Sequence, residues 1–284
     1  MKDMGFDTVC LSFSESEMQY ARRTFEIQVN LAHRAGLKVF VVPSRIGGRF
    51  AGAPLMPSVW LARNPQFAVQ DKWMPVACLE SDEVREWFKS FMKTLLTDYD
   101  LDGIVWDEPK GIGVISHHPA TIEKIGPNPT KEDMMLGFVD FFEDLTGYCK
   151  DLKPTIIQTL FSQKQCSEFF TQNISKTSYI EYFGYDGNLC AQQYFKEEIK
   201  NVKYRIESVW DRTVKECAAA DKKTFALVEN MLMPKQEIPV FKENFENYLQ
   251  NYRPDHLSVY YYAHNVEDPE ALHKVIKEIM KKYL

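Results

Sequence analysis

Residues 99–109, with the sequence YDLDGIVWDEP, carry the strongest fold signal in the chain. A helical pattern ends before them, an Asp-Gly turn follows, and an apolar run then leads to two adjacent carboxylates, Asp107 and Glu108. Pro109 stiffens the exit from the run. A short, nearly continuous apolar run of this kind is typical of a strand buried on both faces of a parallel sheet.

Similar apolar runs recur along the chain, and longer helical patterns separate them. The predicted strands are 7–13, 38–44, 103–109, 155–161, 178–185, 224–230 and 256–264. The predicted helices are 15–35, 82–96, 134–149, 190–220, 241–252 and 269–283. This alternation predicts right-handed βα units around a parallel sheet.

Polar and aromatic residues gather at the carboxyl ends of most of these strands, and this favours a closed barrel over a doubly wound sheet. No G-x-G-x-x-G follows the first strand. The strand-end residues are Ser12, Ser14, Ser44, Arg45, Asp107, Glu108, Gln163, Tyr182, Tyr185, Glu229, Asn230, His264 and Asn265. We predict an α/β fold of the (β/α)8 TIM-barrel type, a single domain over residues 1–284 with its catalytic face at these ends.

Seven strands are visible in the pattern, whereas a complete barrel has eight. Residues 1–6 look like the end of a helix that is capped by Gly5 and leads into the first strand. We favour the interpretation that the first strand–helix unit is lacking. The alternatives are a start that is placed too late, a naturally incomplete barrel, or an unrecognised strand, best sought at residues 74–80 (MPVACLE).

The composition is that of a globular protein, with 45% apolar and 26% charged residues. No apolar run approaches the ~20 residues that cross a bilayer, and a net charge of −6 argues against nucleic-acid binding.

No cysteine pair or third ligand accompanies His117 and His118, so we predict neither a metal nor a cofactor. The lack of a signal peptide predicts a cytoplasmic protein, or a secreted or periplasmic one if the true N-terminus lies upstream.

Asp107 and Glu108 form an electrostatically costly pair unless one is protonated or both are paired with cations. A carboxyl group that stays protonated near neutral pH can act as a general acid, and Glu108 is our candidate. Glu229 ends another buried strand and is the candidate second carboxylate. In an eight-strand count these acids end strands four and seven, which suits carboxyl groups ~5 Å apart in a retaining or ~6.5–9.5 Å apart in an inverting glycosidase.

Structural roles compete with these assignments. The strand-four carboxylates could form a salt-bridged pair at the rim, and Glu229 could be a buried partner of Arg45 or Arg205. Glu181 competes with Glu229, but its place in the middle of a predicted strand favours a polar contact in the core.

Three pieces of the chain resemble a region of barrel-fold glycoside hydrolases and their relatives. They are residues 64–67 (NPQF), 82–87 (DEVREW) and 102–109 (DGIVWDEP), which match a loop, the following helix and strand four. Residues 5–9 (GFDTV) also resemble the start of the second strand in such barrels. The resemblance implies a TIM-type barrel that hydrolyses glycosidic bonds.

The resemblance allows three sets of roles for the acids. In the clan of retaining glycosidases, Glu108 would be the acid/base and Glu229 the nucleophile or base, with Asp107 in place of the usual Asn that orients the sugar. In hexosaminidases, Asp107 would orient the acetamido group of the substrate and Glu108 would be the acid. In α-retaining families, Asp107 would be the nucleophile. The chitinase pattern fails because Val105 and Pro109 occupy acidic positions.

Sugar binding needs aromatic faces for stacking and planar polar groups for the hydroxyls. Arg45 and Arg49 lie in a Gly-rich loop after the second strand, which could close over a substrate. The predicted substrate-binding residues are Arg45, Arg49, Trp60, Trp73, Trp106, Tyr182, Tyr185, Asn230, Tyr262 and His264. Packing and surface roles are the alternatives.

We therefore expect a glycosidase that acts on a carbohydrate without a cofactor. The alternatives are a catalytically inactive barrel that binds carbohydrate or a protein partner, a hexosaminidase-like enzyme, and an aldolase- or isomerase-like barrel with Lys110 near its site. An open barrel edge would also favour a homo-oligomer that covers it.

Overall fold

The computed structural model describes residues 1–51, 57–72, 74–191, 205–260 and 266–283. The chain divides into two compact units. The N-terminal unit comprises Thr8–Leu160 and Cys166–Glu181, and the C-terminal unit comprises Met1–Asp7, Phe161–Gln165 and Tyr182–Leu284. The single domain over residues 1–284 stays a prediction.

Each apolar run of the sequence forms a strand over at least part of its length, so the predicted α/β class is confirmed. Residues 261–264 of the last predicted strand lie outside the described residues. Residues 74–80 do not supply a further barrel strand, because Val76 pairs antiparallel with Val69 in a separate small hairpin. The strands are β1 (Thr8–Ser14), β2 (Lys38–Ser44), β3 (Ala68–Val69), β4 (Val76–Ala77), β5 (Gly103–Asp107), β6 (Ile157–Ser162), β7 (Tyr182–Asn188), β8 (Lys223–Glu229) and β9 (His256–Tyr260).

Helices follow the long strands, as the periodicity predicts. The predicted helix 15–35 is divided at Ala21, and residues 192–204 of the predicted helix 190–220 lie outside the described residues. The helices are α1 (Glu15–Tyr20), α2 (Arg22–Arg34), α3 (Val59–Arg63), α4 (Asp82–Asp98), α5 (Pro119–Lys124), α6 (Lys131–Leu152), α7 (Glu168–Ile174), α8 (Trp210–Ala220), α9 (Ile238–Asn251) and α10 (Pro269–Tyr283). Within the described ranges, no helix combines the length and apolarity that crossing a bilayer requires.

The long strands of the N-terminal unit have one side against the helices and an opposite side, here called the inner side. Phe13 of β1 contacts Phe25 of α2, with ring centroids 4.5 Å apart. The parallel register places Phe13 beside Pro43 of β2, and Val41 beside Ile104 of β5. Because side chains alternate along a strand, these residues share the helix side, and every second residue from Gly103 to Asp107 faces the inner side.

The C-terminal unit repeats this arrangement in β7, β8 and β9, which pair in parallel. Val228 of β8 lies in a core with Phe241 of α9 and Ile276 of α10. Phe225 points the other way and stacks on Phe161, with centroids 5.6 Å apart. Glu229 has the same parity as Phe225, so the last residue of β8 faces the inner side.

Candidate active site

Asp107 and Glu108 stand at the carboxyl end of β5. Asp107 is the last residue of the strand, and its carbonyl accepts a hydrogen bond from the main-chain N–H of Ala51 over 2.8 Å. Glu108 has a φ of 33°, a left-handed conformation that costs a residue other than glycine about 1–3 kcal/mol. Such strain concentrates at functional sites, so the turn at Glu108 is a candidate functional feature.

Lys110 forms an ion pair with Glu108 inside this turn. The contact joins Nζ of Lys110 to Oε2 of Glu108, and the two side chains are 21% and 15% exposed. Screening by salt and water is weaker for a mostly buried pair than for one on the surface. The charge of Glu108 is therefore balanced by a residue only two positions further along the chain.

Arg49 fixes the same turn from the loop after β2. Its Nε and Nη2 donate to the carbonyl of Ala77, and its Nη1 donates to the carbonyl of Gly111 over 2.9 Å. Burial lowers the pKa of the Arg49 guanidinium to about 10, and the charge of Glu80 opposes that shift. Donation to main-chain carbonyls is a structural role and differs from the sugar contact that the sequence predicts for Arg49.

Glu15, which was not predicted from the sequence, organises the rest of that loop. Its Oε1 accepts hydrogen bonds from the N–H of Gly47 over 2.8 Å and from Oγ of Ser58 over 2.7 Å, and its Oε2 accepts from the N–H of Trp60. Arg45 is buried in this loop with a φ of 57°, and burial lowers its pKa. Glu15 directly follows β1, and an acidic residue at the end of a strand is the sequence feature that could have identified it.

A second polar cluster lies at the carboxyl ends of β7 and β8 in the C-terminal unit. Asn188 and Glu229 are register partners, and Nδ2 of Asn188 donates to Oε2 of Glu229 over 3.3 Å. Asp186 is buried on the same side of β7. Asn230 is fully buried, and neither polar atom of its side chain has a hydrogen-bond partner in the described part of the chain. Glu229 and Asn230 were predicted from the sequence, whereas the two residues on β7 were not.

Trp106 and Tyr185 belong to the core, which corrects the prediction that they stack on sugars. Trp106 is 0% exposed and donates its indole N–H to Oε1 of Gln158 over 3.1 Å. Tyr185 is buried, and its hydroxyl donates to Glu216. A ring without an accessible face cannot stack on a sugar.

Tyr182 lies at the amino end of β7, away from the strand ends that form the mouth of a barrel. It pairs with Lys223, the first residue of β8, and its ring contacts that of His256 at 5.4 Å. The prediction placed Tyr182 near the mouth because it started this strand at residue 178. Glu181 lies just before the strand and forms an ion pair with Lys150, with its side chain 37% exposed. The predicted polar contact is present, but its predicted place in the middle of a strand and in the core is wrong.

Trp60 is half-buried and lies within a stack of aromatic rings. Its centroid is 4.4 Å from that of Trp87 and 5.5 Å from that of Phe67. Its contact with a sugar stays a prediction. The predicted substrate-binding residues Trp73, Tyr262 and His264 lie outside the described residues.

His118 has a structural role at the start of α5. Its Nδ1 accepts a hydrogen bond from the N–H of Ala120 over 3.1 Å, and its Nε2 is 3.0 Å from the carbonyl oxygen of Gln66. Across the described ranges, no group of three or more His, Cys, Asp or Glu side chains has a metal-binding arrangement.

No protein-family model and no curated protein matches this sequence. Among solved structures, a β-galactosidase from Marinomonas ef1 aligns with a TM-score of 0.64 and 9% identity, over 99% of this chain and 56% of that one. The glycoside hydrolase domain of PelA from Pseudomonas aeruginosa aligns with a TM-score of 0.55 and 12% identity, over 90% of this chain and 88% of that one. An α-amylase from Geobacillus thermoleovorans aligns with a TM-score of 0.57 and 13% identity, over 99% of this chain and 69% of that one.

These similarities define the class of the fold. The neighbours are glycoside hydrolases with TIM barrels, and the present chain has an α/β fold of that type. At 9% to 13% identity the likeness concerns the fold alone. The chain spans 56% of the β-galactosidase. Asp107 ends β5 in the N-terminal unit, and Glu229 ends β8 in the C-terminal unit.

Proposed function

We propose that this protein is a glycoside hydrolase that cleaves a glycosidic bond with carboxylate side chains. The observation that carries the proposal is Glu108, a mostly buried carboxylate in a left-handed turn at the carboxyl end of β5. In (β/α) barrels the catalytic residues come from that end of the strands. The glycosidase fold of the structural neighbours supports the same reaction class.

In the proposed reaction, Glu108 is the general acid and base. It gives its proton to the glycosidic oxygen while the bond from that oxygen to the anomeric carbon breaks, so the leaving group departs as an alcohol. Glu229 either attacks the anomeric carbon or takes a proton from the attacking water. The first route retains the anomeric configuration, with Glu108 activating the water that hydrolyses the intermediate, and the second route inverts it.

Asp107 is the proposed orienting residue, because it precedes Glu108 and ends β5 on the inner side. Its carboxylate would accept a hydrogen bond from the substituent at the second carbon of the sugar. In a substrate with an acetamido group, the oxygen of that group would attack the anomeric carbon instead of Glu229, as in hexosaminidases. In an α-retaining reaction, Asp107 itself would attack.

The test is hydrolysis of a panel of nitrophenyl glycosides, including N-acetylated sugars, by the wild type, Glu108→Gln, Glu229→Gln and Asp107→Asn. General acid–base catalysis contributes ~10²–10⁴-fold, so Glu108→Gln should lower kcat by that factor. The loss should be smaller for dinitrophenyl glycosides, whose leaving group needs no proton. Glu181→Gln is the matched control, because Glu181 is also paired with a lysine but stands before β7.

Two outcomes would overturn the proposal. Unchanged kcat in Glu108→Gln would remove that residue from its role. Binding of oligosaccharides in calorimetry, with no turnover of any glycoside in the panel, would favour the inactive carbohydrate-binding barrel. The anomer released first, followed by proton NMR, separates the retaining from the inverting route.

A further inference from the structure

The main chain of Lys110 is held in place on both sides of its Cα. Its N–H donates to the carbonyl of Arg49 over 2.6 Å. Its carbonyl accepts a hydrogen bond from Nη1 of Arg49 over 3.4 Å. The same guanidinium is anchored on Ala77 and Gly111 and is almost fully buried. Arg49 therefore fixes where the Lys110 side chain begins.

The side chain of Lys110 ends on the Glu108 carboxylate. An exposed lysine–glutamate pair contributes ~0–1 kcal/mol, because two long side chains lose freedom when they meet. Here the backbone of both partners is fixed: Lys110 by Arg49, and Glu108 by the left-handed turn before Pro109. Less freedom is lost on pairing, so the ammonium can hold the carboxylate in one orientation.

We infer that Lys110 is the positioning residue for Glu108, and that Arg49 acts behind it by holding the Lys110 main chain. This inference rests on the proposed function and concerns its retaining route, in which ionised Glu108 takes a proton from the attacking water, because an ammonium favours the charged form of a carboxylate. Proton transfer requires the carboxyl oxygen within hydrogen-bond reach of that water. A displacement of ~1 Å at such a group can cost ~10²-fold in rate. Removal of the lysine would remove the ionic contact of this carboxylate, which would then spend less time in the productive orientation.

A direct contact between Lys110 and the sugar is the competing role, and kinetics separates the two. Loss of a substrate contact made equally in the ground and transition states raises KM and leaves kcat unchanged. Loss of positioning lowers kcat with little change in KM. We expect Lys110→Met to lower kcat about 10- to 100-fold with KM within about twofold of the wild type. Lys110→Arg keeps the charge and should recover most of kcat.

Thermal unfolding tests the Lys110–Glu108 ion pair independently of enzymatic activity. Lys110→Met should lower Tm by about 2–4 °C in the wild-type background, the shift for a loss of ~1 kcal/mol in a chain of this size. The same substitution in Glu108→Gln should have a much smaller effect, because the pair is already broken. Lys124→Met is the matched control: its partner Asp82 is 82% exposed, at 2.6 Å, so Tm and kcat should stay at the wild-type values.

The combination of Tm and kinetic results distinguishes failure of the ion pair, of the positioning role and of the proposed function. Equal Tm losses from Lys110→Met in both backgrounds would overturn the pair whatever the activity. Coupled Tm losses with a raised KM and an unchanged kcat would overturn the positioning role. Coupled Tm losses in a wild type that cleaves no glycoside would show that the proposed function fails although the pair forms, and the positioning role would fall with it.

Discussion

Asn188 donates a hydrogen bond from its Nδ2 to Oε2 of Glu229 over 3.3 Å, between register partners on β7 and β8. Register partners on neighbouring parallel strands lie on the same side of the sheet, so this contact belongs to the inner side. A neutral amide orients one carboxylate oxygen and leaves the negative charge in place. That combination suits a residue proposed to attack an anomeric carbon or to activate water.

Asn188→Ala should lower kcat about 10- to 100-fold, because a hydrogen bond to a charged group contributes ~1.5–3 kcal/mol. KM for the same glycoside should change little. The measurement is steady-state hydrolysis of the best substrate in the nitrophenyl panel. Asn173→Ala is the control, since that exposed amide donates to the carbonyl of Phe169 within α7. A wild-type kcat in Asn188→Ala would show that Glu229 needs no orienting donor or has no part in the reaction.

The sequence predicted the strands better than their ends, and β7 shows why. The run 178–185 contains four aromatic residues and an isoleucine, so it reads as the strand. The structure starts the strand at Tyr182 and continues through Asp186, Gly187 and Asn188, residues typical of a turn. Pairing with β8 overrides that local preference. Asn188 was missed because it lay beyond the predicted end.

Other contacts of the site depend on segments that are distant in the chain. The hydrogen bond from Arg49 to Gly111 joins residues 62 positions apart, and the left-handed turn at Glu108 has no sequence signature. Nothing in a single sequence specifies either of them. Trp106 is different: once Asp107 is assigned to the inner side, alternation requires its neighbour to face the helices. That placement could have been predicted from the strand alone.

Trp106→Phe should lower the free energy of unfolding by about 1–3 kcal/mol, because a smaller ring leaves a void and Gln158 loses its donor. Urea unfolding measures this change. Affinity for an oligosaccharide, measured by calorimetry, should equal that of the wild type because the ring is fully buried. Weaker binding at unchanged stability would restore Trp106 to the sugar-binding surface.

Gly111→Ala tests the hydrogen bond by which Arg49 holds the turn that contains Glu108. Gly111 has a φ of +66°, and an added Cβ would lie 2.9 Å from Nη1 of Arg49 and 3.0 Å from the side chain of Val76. We expect a loss of about 1–3 kcal/mol of stability from the backbone conformation, and a lower kcat because Arg49 must move. Urea unfolding and steady-state kinetics measure the two effects.

Gly126→Ala is the matched control for this substitution. Gly126 also has a left-handed φ, of +120°, but no atom lies within 4 Å of the added Cβ. Gly126→Ala should lower the free energy of unfolding through the backbone conformation alone, and its kcat should equal that of the wild type. Equal kcat in Gly111→Ala and Gly126→Ala would contradict the role of the Arg49–Gly111 hydrogen bond in positioning the turn at Glu108.

His256 should make the stability of the protein depend on pH in the range just below neutrality. Its ring contacts those of Tyr182 and Phe225 at the amino ends of the strands, with centroids 5.4 and 5.1 Å apart. Burial lowers the pKa of His256 below its ordinary value of 6.5, and the charge of Asp7 opposes that shift. The folded protein therefore binds the proton less readily than the unfolded chain.

The sign of the effect follows from this difference in proton binding. The contribution of neutral His256 to the free energy of unfolding is fully present above the ordinary pKa of 6.5. It is lost as the pH falls towards the lowered pKa, with a slope of at most about 1.4 kcal/mol per pH unit. His256→Phe keeps the aromatic contacts and removes the titrating group, so its free energy of unfolding should vary less as the pH falls from about 7 to about 5. Urea unfolding at several pH values measures both curves, with the exposed His117→Ala as the control. Parallel curves for the wild type and His256→Phe would assign the pH dependence to other groups.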